Sequence, residues 1–77
     1  MKKYAVFKVQ NGNNTYLAEV LKSLLTEEGE IEDYFAKLIT NGRYLKEGML
    51  GSFSKDSVVS WHDDLNEALE ALAWERL

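Results

Sequence analysis

The 77-residue chain contains no cysteine, no proline and only one histidine. Without cysteine there is no disulfide framework, and a single histidine cannot build a closed Cys/His zinc site. Without proline or any low-complexity stretch, nothing marks a linker. No apolar run approaches the length that spans a bilayer. Lys8, Gln10 and Asn11 follow the basic Met1-Lys2-Lys3 start too soon for a secretory h-region. Positive charge is also scarce: nine Lys and Arg stand against thirteen Asp and Glu, for a net charge of −4. A protein that neutralises phosphates normally carries the opposite balance, which disfavours nucleic acid as a partner. Neither a P-loop nor a dinucleotide-binding glycine motif is present. The expectation is one compact cytoplasmic domain over residues 1–77, with no cofactor, no metal and no membrane segment. A domain of this size is marginal on its own and gains from a dense core or from burial against another chain. With 45% hydrophobic residues, including two Trp, four Tyr and three Phe, a core can be built.

Residues Lys3 to Val9 alternate, with β-branched and aromatic content that suits a strand, and Gln10-Asn11-Gly12-Asn13-Asn14 then reads as a turn. Leu17, Val20, Leu21, Leu24 and Leu25 follow at i, i+3, i+4, i+7 and i+8, the spacing of one helical face. Asn14 or Thr15 suits its N-cap. A rival reading turns a hairpin at Asn-Gly and makes residues 15–21 a second strand. Ile31, Tyr34, Phe35, Leu38 and Ile39 repeat the template fourteen residues on. Gly29 sits between the two sets, and glycine is favoured just past a helix end. The pattern therefore predicts two helices joined by an acidic turn, with one continuous helix over 15–41 as the alternative. Asn41-Gly42 closes the second helix. Met49–Phe53 and Ser57–Trp61 read as strands of a hairpin around Ser54-Lys55-Asp56. Asp64, with Glu67 three residues on, starts a last helix whose inner face is Leu65, Ala68, Leu69 and Leu72. The expected fold is α+β, in the order β-α-α-β-β-α, with the helices on one face of a short sheet.

Few residues suggest chemistry. His62-Asp63-Asp64 offers one imidazole and two carboxylates, but neighbours at a strand–helix junction point apart, and helix capping already accounts for the aspartates. Gly48-Met49-Leu50-Gly51 has the Gly-x-x-Gly form that KH domains use on a nucleic-acid backbone. Its middle residues are not basic, and it does not fall between the first two expected helices, so a glycine-flanked turn is the better reading. Lys2, Lys3, Lys8, Arg43 and Lys46, with Tyr4 and Tyr44, form the patch on which a nucleic-acid-binding alternative would rest. No catalytic residue is assigned.

The surface is more informative. Glu27, Glu28, Glu30, Glu32 and Asp33 put five carboxylates in seven residues without a cation. Glu27 and Glu28 would lie at the negative end of the first expected helix, a placement that suits steering of a basic partner better than it suits the helix. At about 100° per residue, Trp74 falls about 180° from Leu65, on the face of Glu67 and Glu70, with Leu77 on its flank. Tryptophan on a polar face is uncommon, and tryptophan is a leading hot-spot residue. Trp74, Glu67, Glu70, Leu77, Glu27 and Glu28 are therefore the expected partner-binding residues. The expected function is a non-enzymatic protein-interaction module: a small acidic regulator, inhibitor or accessory subunit. In class only, it resembles the small host-directed or anti-defence proteins of phages. Its partner would be a protein with a basic surface, or a second copy in a homodimer.

Overall fold

The computed structural model describes residues 3–9, 14–42 and 45–77. Five strands and one helix follow in chain order: β1 (Tyr4–Lys8), β2 (Thr15–Leu25), β3 (Ile31–Leu38), β4 (Leu50–Ser54), β5 (Val58–His62) and α1 (Leu65–Glu75). All strand pairs are antiparallel, in the order β4-β3-β2-β1-β5. No helix among the described residues is long and apolar enough to cross a membrane.

The expected β-α-α-β-β-α order is overturned at both predicted helices, which are β2 and β3. Two features of the strands explain the helical spacing. The first half of β2 is buried on both faces, so its apolar residues run on instead of alternating. The β2–β3 register then shifts between Val20 and Lys22, and again between Leu24 and Leu25. A bulge inserts one residue and resets the period of two, leaving adjacent apolar pairs that mimic i+3, i+4 spacing. The turn after β2 is a hairpin loop. Thr26 N–H donates to the Glu30 carbonyl at 2.8 Å and Gly29 N–H to the Thr26 carbonyl at 3.0 Å, with Gly29 at φ +85°. This is a three-residue loop with glycine in its left-handed position. The rival reading of residues 15–21 as a strand matches β2, while residues 10–13 of the expected turn, with its Asn11-Gly12 pair, lie outside the described residues.

β4 and β5 are strands as expected, but they do not form a hairpin. They lie at opposite edges of the sheet, joined by a single 3-10 turn, Lys55–Ser57. In a flat sheet the two edges would stand about 19 Å apart. The four residue steps from Ser54 to Val58 reach at most ~14 Å. The sheet must therefore roll, and the ring contacts record it. Phe7 on β1 meets Phe53 on β4 at 4.6 Å between centroids, and Tyr34 on β3 meets Trp61 on β5 at 5.3 Å. Each pair is three strands apart in the sheet order.

Rolling creates two cores. Inside the roll, Phe7, Tyr16, Ala18, Tyr34, Ala36 and Leu38 are buried. The Tyr34 hydroxyl is enclosed there, near the Ser57 side chain but short of full hydrogen-bonding geometry with it. Burial pushes its pKa well above the usual tyrosine range, and the Ser57 hydroxyl offsets this only in part. Outside the roll, Val6 and Leu17 are cross-strand partners covered by Ala68 and Leu72 of α1. Asp64 caps that helix as expected, accepting from Glu67 N–H at 3.3 Å. The expected inner face is half right. Leu65 and Leu69 remain 37% and 41% exposed, because α1 is turned so that Ala71 packs beside Ala68 and Leu72 instead.

Candidate protein interface

α1 is fixed at its last turn by side chains that leave in two directions. Glu75 pairs with Lys8 of β1 at 3.2 Å. Arg76 turns the other way, to the backbone carbonyls of Thr15 at the start of β2 and of Asn41 beyond β3. With both sides pinned, the remaining surface of the helix looks away from the sheet. Trp74 stands there, 73% exposed, and Leu77 is 93% exposed. Glu67 and Glu70 are exposed on the same helix. The chain's other tryptophan, Trp61, is packed against the inner core. The geometry is that of an aromatic knob on a helix tied down at its last turn, with carboxylates along the helix and no covering element among the described residues.

Glu27 and Glu28 are exposed at the tip of the β2–β3 hairpin. Arg76 holds the end of α1 beside Thr15, at the opposite end of β2 from that tip. The strand between them spans on the order of 30 Å. The expected partner-binding residues therefore form two separate surfaces.

The other candidate groups are occupied locally. The His62 ring lies 2.8 Å from the Ser60 hydroxyl through Nε2, and Asp64 caps α1. No group of three or more His, Cys, Asp and Glu among the described residues could hold a metal ion. Gly48, at φ +89°, lies in a turn closed by Met49 N–H on the Lys46 carbonyl, and Gly51 lies within β4. The basic patch does not assemble among the described residues. Lys8 pairs with Glu75, Lys46 Nζ donates to the Gly42 carbonyl at 3.1 Å, and Tyr4 packs against the core under α1. Lys2, Arg43 and Tyr44 lie outside the described residues.

Sequence reasoning missed a further surface. The outer faces of β3 and β4 carry exposed Phe35 and Leu50, and β2 carries exposed Leu21 and Leu24. Once residues 15–25 and 31–38 are read as helices, Leu21, Leu24 and Phe35 are assigned to buried seams. Only a strand reading places them on a solvent face. No protein-family model, curated protein or solved structure matches the chain.

Proposed function

We propose that this chain is a non-enzymatic protein-interaction module, a small acidic regulator, inhibitor or accessory subunit of the cytoplasm, which presents the outer face of α1 to a protein with a basic surface. The observation that carries the reading is Trp74. A large aromatic ring on an immobilised helix offers contact area with little ordering left to complete, which is what an interface anchor requires. Glu67 and Glu70 on the same helix favour a cationic partner surface and faster encounter with it. They oppose a two-fold pairing of identical helices, since like charges would meet. Arg76, the nearest cation in sequence, is engaged with the Thr15 and Asn41 carbonyls and is not free to relieve that repulsion.

The test is Trp74→Ala, read by sedimentation and by partner capture, with fluorescence as the control. Loss of a captured partner by a folded, monomeric variant supports the reading. Loss of a dimer instead makes the partner a second copy. If neither changes, and Trp74 in the monomer emits as a buried indole, α1 is not an interface.

A further inference from the structure

α1 covers only part of the outer sheet face. It packs over β1, β2 and β5, and among the described residues no second layer covers the outer faces of β3, β4 and the far half of β2. Phe35 is the cross-strand partner of Lys22 on β2 and of Ser52 on β4. Leu24 lies two residues beyond Lys22, and Leu50 two residues before Ser52. Leu24, Phe35 and Leu50 therefore share the outer face in an oblique row, each at a diagonal position within reach of a large side chain. All three are exposed. Single exposed leucines are ordinary, but a row across three strands is a patch.

The register places the row beyond the N-terminal end of α1. The helix starts after His62, level with Tyr4, Glu19 and Lys37, and ends where Arg76 reaches Thr15, whereas Phe35 and Leu24 lie further along the strands toward the hairpin tip. Beside the turn at Glu47 and Gly48 lies a shallow depression of about 600 Å³, bordered by Glu19, Lys37, Ile39 and Glu47. The uncovered face continues from this depression over Phe35 toward the hairpin tip.

We propose that this face seats a cationic amphipathic helix of a protein partner, lying across the row along β3. The chain itself supplies the packing precedent: Ala68 and Leu72 of α1 cover Val6 and Leu17 on the adjoining half of the same outer face. The charge comes from the rim. Glu19, Asp33 and Glu47 exceed Lys22 and Lys37, and the face runs toward Glu27, Glu28, Glu30 and Glu32 at the tip. Lysine or arginine along both flanks of the incoming helix meets that rim. A second copy of this acidic chain would bring a like-charged tip. The inference keeps the reading of the chain as an interaction module and adds a surface separate from Trp74.

The experiment uses the whole chain and a helical peptide of leucine and lysine, with its leucines spaced three and four residues apart. A peptide with glutamate in place of lysine is the control. Binding is followed by backbone amide shifts. The lysine peptide is expected to move amides of β3, β4 and the far half of β2, less so at high salt, and the glutamate peptide to leave them unmoved. Combined Leu24→Ser and Phe35→Ser should weaken binding by at least about tenfold, an effect of hot-spot size. Should that variant fail to fold, Glu19→Lys with Glu47→Lys leaves the apolar row intact and should reverse the preference toward the glutamate peptide. Equal binding of both peptides overturns the proposal, as does movement of the same amides on concentrating the chain alone, which would make the occupant a second copy. Shifts confined to the last turn of α1 overturn it while supporting the Trp74 face. Absence of shifts anywhere overturns it and leaves the Trp74 face to stand or fall on partner capture.

Discussion

Arg76 donates twice to the carbonyl oxygen of Thr15, from Nε at 3.0 Å and Nη2 at 2.8 Å, across 61 positions of sequence. Nη2 also donates to the Asn41 carbonyl at 3.1 Å. A planar fork suits such a contact, and lysine cannot reproduce it. Arg76→Ala is expected to destabilise the fold by about 1.5–3 kcal/mol, the range for hydrogen bonds to a charged group. Arg76→Lys should recover only part of that loss. Urea unfolding measures the loss, and faster amide exchange in the last turn of α1 locates it.

Gly42 has a steric reason to be glycine. A Cβ there would run into the ring of Tyr16, which is buried in the inner core. The Tyr16 hydroxyl also accepts from Leu45 N–H at 3.3 Å, so the ring is held at its far end. Gly42→Ala is expected to cost about 1–3 kcal/mol, as overpacking does. Thermal unfolding of Gly42→Ala beside Gly48→Ala separates the causes, since Gly48 has open space around it and only its φ of +89° opposes a side chain.

Tyr34 gives the stability a dependence on alkaline pH. Its folded pKa is raised by burial. Below about pH 10, both folded and unfolded chains keep the phenol proton and its contribution is complete. Above that, the unfolded chain ionises while the folded chain does not, so stability falls as pH rises. Tyr34→Phe is expected to shallow the decline above about pH 10. It also removes an enclosed hydroxyl that falls short of full hydrogen-bonding geometry, so it should be neutral or slightly stabilising at neutral pH. Denaturant midpoints across alkaline pH test both statements.

Gly29 separates the two readings of the middle of the chain. In a continuous helix, Gly29→Ala would stabilise by up to about 1 kcal/mol. At φ +85° in a hairpin loop it is expected instead to destabilise by about 1–2 kcal/mol, despite open space around it. Equilibrium unfolding gives the sign.

The parts of the fold legible in the sequence are those where one local rule acts alone. β1 shows through its β-branched and aromatic content, although Ala5, Val6 and Phe7 are buried in succession, and α1 announces itself through the Asp64 cap. β2 and β3 were misread because their spacing has tertiary causes. Leu17 is apolar because α1 covers it, Tyr16 and Ala18 because the sheet rolls around them, and the later leucines shift phase at bulges. None of these causes is local. The exposure of Trp74 could be read from the helical wheel, because α1 was correctly assigned. The oblique row of Leu24, Phe35 and Leu50 could not, since it exists only once three strands are set in register.

The short 3-10 turn between β4 and β5 also sets an order of events in time. β1 is made first, yet its edge opposite β2 is covered only by β5, more than fifty positions later, and α1 comes later still. During synthesis β1 to β4 can form a meander with that edge bare, and bare edges recruit other chains. Pairing between distant segments is slow, because loop closure precedes its reward. A nascent chain stalled before Val58 therefore carries the greatest aggregation hazard, and the final twenty residues relieve it by closing the roll and covering β1.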